Sequence, residues 1–482
     1  MSNFVLTLEL KTEKWQEDIL DKRFNIGRQI YNACLGELYK RYNTMTQRKE
    51  YKKVVNMPKG KERNKEFQEL NKKYGLTEYS LHEFVKPMQH HFKKNIDSFT
   101  AQKIATRAYN AFEKYILHEA KKVYFKKHDE LNSLEGKSNK TGIRFKNNKL
   151  VWNKLEIPVV IRKNDEYAQT ALENKIKYCR VLRRFIRGKY KYYIQVVLEG
   201  VPPIKINKET GEIKNTIGSG RVGIDIGTQT IAISSKYDVK LLELAPEVNN
   251  IEKEKRILLR KSDRQRRANN PNKYNKEGTI KHGNKDKWIK SNRYIKTQNE
   301  LRELQRKQAD IRKQSHEKIA NYILGLGDKI YVEDMNYKGL QSRAKETTIN
   351  EKTGKYNKKK RFGKSLANKA PSMLLIILDN KLKFNRSQLY KIDTWSVKAS
   401  QYNHIEDKYI KKGLNERWND FGNYKIQRDL YSAFLIMNVK DNLKEIDSDL
   451  CFKTFDNFKV LHDKEIERIK HSNDKIISSM GI

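Results

Sequence analysis

Proline and cysteine are scarce in this 482-residue chain, and acidic residues are heavily outnumbered. Each shortage excludes something. Eight prolines and 23 glycines are too few for a fibrous or low-complexity chain, so mostly regular structure is expected. The three cysteines, Cys34, Cys179 and Cys451, lie far apart and form no Cys-x-x-Cys pair. That rules out a disulfide framework and fits a reducing cytosol. No apolar run approaches the roughly 20 residues that a membrane span needs, and the first residues lack the apolar stretch of a signal peptide, so no membrane association is expected. Asp and Glu number 59 against 102 Lys and Arg, a formal net charge of +43. Imbalance on that scale points to a long polyanion as partner rather than a small substrate. What the chain does hold is 26 tyrosines and 17 phenylalanines interleaved with the lysines, a pattern that suits base stacking beside phosphate contact.

The length allows two to four domains. Residues 3–10 alternate as a strand, and a helix should follow with Trp15, Ile19, Ile26, Ile30, Tyr31, Cys34, Leu35 and Leu38 near helical spacing. Residues 44–73 read as a loop and a charged helix. From 77 to 124 the pattern is helical again, with Phe84, Met88, Phe92, Ile96, Phe99, Ile104, Ala108, Phe112 and Ile116 as bundle core. Residues 129–141 read as a polar linker. Between 142 and 200, four short β-rich runs separated by turn residues predict a small antiparallel sheet or barrel that the strand at 3–10 could complete. Pro202-Pro203 and Gly218-Ser-Gly220 mark a boundary. Beyond it come a hairpin partner at 237–244 and a basic helical region to about Gly325, in which residues 251–300 hold 16 Lys and Arg against 6 Asp and Glu. A strand at 329–335, a basic and mobile insertion at 336–369, a helix at 373–382, a strand at 389–397 and a helix at 426–437 complete the reading. Beyond Asp441 the tail is mixed and uninformative.

The chain is organised around Arg221-Val-Gly-Ile-Asp-Ile-Gly-Thr-Gln-Thr-Ile-Ala-Ile-Ser-Ser235. Alternation puts Val222, Ile224 and Ile226 on one face and Gly223, Asp225 and Gly227 on the other. A carboxylate between two glycines leaves room for a metal ion or a phosphodiester, and its charge needs compensation inside an apolar strand. Two further acids stand at comparable places, Glu333 at a strand's end and Asp429 at a helix's start. Taken singly, Glu333 reads as a surface glutamate and Asp429 as a residue favoured by the helix dipole. Together the three carboxylates offer the hard oxygen ligands that two-metal phosphodiester hydrolysis requires.

Gly223-Ile-Asp-Ile-Gly-Thr-Gln229 also resembles the first phosphate loop of actin-like sugar kinases. That loop normally opens its chain and is followed by further glycine-rich nucleotide loops, whereas here it follows a basic stretch of some 220 residues and no Asp-x-Gly-x-Gly loop succeeds it. A broader resemblance joins three stretches: Gly223-Ile-Asp-Ile-Gly227, Val332-Glu-Asp-Met-Asn-Tyr-Lys-Gly-Leu340 and Gln427-Arg-Asp-Leu-Tyr-Ser-Ala433. In order and spacing over residues 218–440 they resemble the TnpB (OrfB) family of transposon-encoded RNA-guided nucleases and the compact type V CRISPR effectors similar to it.

The resemblance implies a multidomain α/β chain. A wedge-like β-barrel domain would occupy 1–40 and 140–217, and a helical recognition domain 41–139. An RNase H-like (RuvC) nuclease core would occupy 218–440, with a degenerate zinc-ribbon-like insertion at about 398–425, followed by a tail at 441–482. It makes Asp225, Glu333 and Asp429 the catalytic, metal-binding acids, with two Mg²⁺ ions as cofactor. It also implies a structured guide RNA, a short duplex motif beside the target, and target DNA unwound into an RNA–DNA heteroduplex in the cytosol, near the nucleoid. A nuclease-inactive RNA-guided regulator or a transposition accessory is the alternative. The sequence departs from the family in two places. The interval from Ser400 to Asn423 holds no cysteine, and His404 alone cannot hold zinc, so no zinc is expected. The third stretch has Tyr431 and Ser432 where Asn and Ala are usual.

Overall fold

The computed structural model describes residues 2–482 apart from 352, 355, 358–361, 414 and 473–475. The chain divides into two compact units, Met1–Ile204 and Lys205–Ile482.

In the first unit the strand Asn3–Glu9 buries Phe4, Leu6 and Leu8 on one face. It pairs antiparallel with Lys189–Glu199, which pairs with Ile176–Ile186, which in turn pairs with the short strand Ser133–Glu135. A separate three-stranded sheet holds Arg144–Lys146, Lys149–Trp152 and Leu155–Pro158. The expected β-barrel is therefore corrected to two open sheets; no closed barrel exists among the described residues. Closure needs strands of matched length and stagger, and here one edge strand has seven residues and the other only three. The helix Lys14–Thr46 buries Leu20, Phe24, Ile30, Cys34 and Leu38, and the helix Ser98–Ile116 packs on it through Ile104, Ala108 and Phe112. Trp15, expected on the buried stripe, is exposed, its indole Nε1 donating to Glu13 at 2.6 Å.

The second unit is built on a five-stranded sheet in the order Val239–Glu243, Thr230–Ser235, Arg221–Ile226, Lys329–Glu333, Leu389–Ile392. The first three strands are antiparallel neighbours, and the last two join the central strand in parallel. One face is aliphatic: Val222, Ile224, Ile226, Ile330 and Val332 pack against the helices Asn292–Leu326 and Pro371–Phe384. The opposite face carries the helix Arg428–Met437, wholly buried from Leu430 onward, and the helix Ser448–Lys470.

That last helix corrects the reading of 441–482 as an uninformative tail. Cys451, Phe455, Phe458, Ile466 and Ile469 form its buried stripe, but His462 and Glu465 interrupt it. Glu465 is 1% exposed, and its charge is held by the Leu241 backbone N–H at 2.9 Å and by Arg468 and Lys240. A buried carboxylate persists only with such partners. The expected mobility of 336–369 falls partly on residues outside the described ones; at its far end Lys369 is buried, with Nζ donating to Glu243 at 2.6 Å. No helix of the described residues is long and apolar enough to cross a membrane.

Candidate functional site

Gly223 decides where the site forms. A Cβ at this position would collide with the Ala433 carbonyl oxygen and the Met437 backbone nitrogen, so the helix Arg428–Met437 rides directly on the strand backbone. The space beside Gly223, expected to admit a ligand, is filled by that helix. The close approach brings the helix's first turn, with Asp429, toward Asp225 two residues along the strand. The helix starts where it does because Gln427, fully buried, accepts the Leu430 N–H at 2.8 Å. Gln427 is fixed in turn by donating through Nε2 to the Met480 carbonyl at 2.8 Å and through its backbone N–H to His462 Nε2 at 3.0 Å. Glu333 arrives from the parallel neighbour: the register that matches Val332 to Ile224 sets Glu333 level with Asp225.

Asp225 therefore feels both of the other acids. Burial raises the Asp225 carboxyl well above the usual carboxylate range, and the charges of Glu333 and Asp429 push it further, against the pull of Arg428 and Arg417. Burial also raises Glu333. Neither the Asp225 nor the Glu333 carboxylate has a hydrogen-bond or ion-pair partner among the described residues. Two neighbouring unpaired carboxylates are unfavourable without a proton or a cation between them.

Asp429 differs. Arg417 Nη2 donates to its Oδ2 at 2.6 Å, and Arg428 Nε stands 3.8 Å from Oδ1. The same Arg417 nitrogen donates to the Ser479 carbonyl. No three His, Cys, Asp or Glu side chains among the described residues converge as ligands of one metal ion. Tyr337 adds a further group: its hydroxyl is buried without a partner, and burial together with Asp225 and Glu333 pushes it upward, so it remains a protonated donor at neutral pH. The donor set fits Mg²⁺ in kind, with hard oxygens, unpaired on two of the three acids.

No protein-family model matches the chain, and no curated protein matches it. Among solved structures it is similar to a chain in a cryo-EM structure of a Cas12f1-sgRNA-target DNA complex. The two share 10% identity over 90% of this chain and 98% of that one, with a TM-score of 0.44. A likeness of that size leaves the site to be judged on its own residues.

The two places where the sequence departs from its expected pattern turn out to touch. The Tyr431 hydroxyl accepts the His404 backbone N–H at 3.1 Å and lies 2.6 Å from His404 Nδ1. The His404 ring packs among Phe434, Phe452 and Phe455, with centroids 4.6–5.8 Å away. Phe421 and Tyr424, from the tip of the hairpin Trp418–Asp420 and Lys425–Gln427, extend the same cluster. Around the described part of 398–425, aromatic packing thus anchors the segment to the helix that carries Asp429. Burial drops the His404 imidazole to about 4, so it is neutral at physiological pH. Ser432, the other departure, is buried with its hydroxyl unpartnered.

Sequence reasoning missed Arg417, Tyr337 and the His404–Tyr431 pair. Tyr337 lies inside a matched stretch and could have been flagged as an aromatic among acids. Arg417 carries no local signal, because the hairpin that places it is only three residues to a strand.

Proposed function

We propose that the chain is an RNA-guided, Mg²⁺-dependent DNA endonuclease whose RuvC-like, RNase H-like core spans about 218–440, with Asp225, Glu333 and Asp429 as its metal-binding acids. The observation that carries this reading is the pair of neighbouring carboxylates, Asp225 and Glu333, which have no hydrogen-bond or ion-pair partner among the described residues of a chain of net charge +43. So basic a protein has counter-charges in abundance, and leaving these two unpaired reserves them for a cation that comes from outside.

Asp225 and Glu333 would hold the ions, with Asp429, released from Arg417, as the third ligand. Two Mg²⁺ ions bound there would supply an activated water and stabilisation of the leaving oxygen. Tyr337, whose protonated hydroxyl is buried near the same acids without a partner, is a donor available to a bound substrate or water. Arg417 and Arg428, freed from Asp429, face the negative charge of a phosphodiester. The guide RNA and the unwound target strand are the partners expected for so basic a chain, in a cytosolic setting. Specificity comes from base pairing in the heteroduplex.

A second reading is favoured by one observation, the 2.6 Å ion pair between Arg417 and Asp429. If that pair is permanent, the third acid is never available, and the chain is a nuclease-inactive RNA-guided DNA-binding regulator or transposition accessory. One experiment separates the two. The protein with its copurified RNA is given a duplex that matches that RNA and a scrambled one, with Mg²⁺, at about physiological salt. The nuclease reading expects cleavage of the matching duplex only, lost after RNase treatment and lost in Asp225→Ala. Guided binding with no cleavage would establish the regulator, and equal cutting of both duplexes would remove guidance.

A further inference from the structure

The first unit carries a pair of aromatic rings that its own core does not use. The helix Lys14–Thr46 presents Asn32 and Tyr39, seven residues apart and so on one face, toward the irregular segment that follows the helix Ser98–Ile116. Each grips one residue of that segment by both backbone groups. Lys126 N–H donates to Asn32 Oδ1 at 2.8 Å, and Asn32 Nδ2 donates to the Lys126 carbonyl at 2.9 Å. Val123 N–H donates to the Tyr39 hydroxyl at 3.2 Å, and that hydroxyl lies 3.1 Å from the Val123 carbonyl to which it donates. Exactly two residues remain between the clamped positions, and they project outward: Tyr124 is 71% exposed and Phe125 is 52% exposed.

Beside them opens a cavity of about 530 Å³ lined by Tyr39, Tyr115 and the segment 121–125. Its aromatic wall is continuous, with the Tyr39 ring 5.7 Å from Tyr115 and 6.3 Å from Phe125. Charge surrounds it: residues 117–128 hold four lysines against one glutamate, and Lys122 Nζ stands 5.2 Å from the Tyr124 ring. Adjacent exposed rings are unfavourable in water, and here four backbone hydrogen bonds hold the segment that presents them.

We infer that Tyr124 and Phe125 form a stacking site for an unpaired nucleobase of an RNA strand, with Lys121 and Lys122 on the flanking phosphates. A π-face beside cations is the chemistry that holds a splayed-out base. RNA is the source because its loops and bulges offer bases that are free of both partner and stack, while the bases of duplex DNA are already paired and stacked. The inference rests on the nucleic-acid reading above, and it adds a site outside the carboxylate centre.

The test uses the full-length protein. Stripped of copurified nucleic acid, it is titrated with a labelled oligoadenylate RNA of roughly 12 nucleotides and with a blunt RNA duplex of the same length, at about 0.3 M salt to weaken the general grip on polyanions. Tyr124→Ala/Phe125→Ala should weaken single-strand binding about tenfold or more and leave duplex binding unchanged, and Tyr124→Trp/Phe125→Trp should restore it. Both rings are exposed, so the melting temperature should hold and report that the variants fold. Ultraviolet crosslinking of the protein as isolated should leave a ribonucleotide adduct on the peptide that contains Tyr124. A single-strand change under about twofold, an equal loss on duplex, or an adduct of deoxynucleotide would overturn the site. Unchanged RNA affinity is also what a protein-docking role for the rings would give. Because affinity rather than cleavage is read, ring-dependent binding in a protein that never cuts would keep this site and remove the nuclease. Guided cutting with ring-independent binding would do the reverse.

Discussion

The two faces of the five-stranded sheet are made from alternate residues of the same strands, yet they do different work. On one face Val222, Ile224 and Ile226 meet aliphatic side chains of two helices. On the other, Gly223 admits a helix to backbone contact, Asp225 stands beside Glu333 with no partner among the described residues, and an aromatic cluster around His404 and Tyr431 anchors the neighbouring segment. The aliphatic face gains stability from area removed from water, which tolerates small changes of shape. The other face also buries the Asp225 carboxylate near Glu333 and Asp429, at an electrostatic cost. Its parts are fixed by close approach and hydrogen bonds, which tolerate little.

The sharpest way to break this comparison is at adjacent residues. Gly223→Val should cost about 4 kcal/mol or more, because its side chain has nowhere to go but into the backbone at Ala433 and Met437. Ile224→Val, one residue along on the aliphatic face, should cost about 1 kcal/mol. Urea denaturation measures both, and similar midpoints for the two variants would mean that the faces do not differ as described.

The aromatic cluster gives the next largest effect. Burial holds the folded-state pKa of His404 at about 4 against an ordinary 6.5, so as pH falls the unfolded chain takes up its proton first. The stability this provides is complete above pH 6.5 and is lost progressively down to about 4. Between pH 7 and 5 the loss should be about 2 kcal/mol from this residue. His316 and His462, also buried and lowered, add to the acid sensitivity of the whole protein. The share that belongs to His404 is the part that disappears in His404→Gln. A pH profile unchanged by that substitution would refute the assignment.

The smallest effect has the opposite sign. Asp225 is raised by burial and by its acidic neighbours, so its contribution is favourable only while the carboxyl is protonated and becomes unfavourable as pH rises past the ordinary carboxylate range. Asp225→Asn should therefore raise the melting temperature at neutral pH by about 2 °C or more in the absence of divalent metal, while abolishing cleavage. A lower melting temperature in that variant would show that the carboxylate is structurally satisfied.

Much of this was legible in the sequence, for identifiable reasons. The central strand declared itself by alternation, and its parallel neighbour by an apolar run ending in Glu333; the observed strands are Arg221–Ile226 and Lys329–Glu333. The helix with Asp429 in its first turn was legible because its apolar residues run unbroken from Leu430 to Met437 except for Ser432. What stayed hidden depends on tertiary partners. The helix Ser448–Lys470 was missed because two of its buried positions are His462 and Glu465, polar residues satisfied by bonds to distant segments. Gly223 read as room for a ligand because a strand pattern cannot reveal which helix will land on it. Tyr431 and His404 read as separate departures, since nothing at 27 residues' separation announces a hydrogen bond. Alternation left sheet or barrel open in the first unit, because it reports strands and not whether their edges meet; the barrel that the resemblance implied is two open sheets.

Direct metal binding tests the central claim that Asp225 and Glu333 are kept unpaired for a cation. Mg²⁺ titrated calorimetrically into the nucleic-acid-free protein should bind with release of protons, since burial and the acidic neighbours favour the protonated form of Asp225. Arg417→Gln, which frees Asp429, should tighten that binding, and Asp225→Asn should abolish it. Binding of Mg²⁺ that is the same in wild type and in Asp225→Asn would contradict the account.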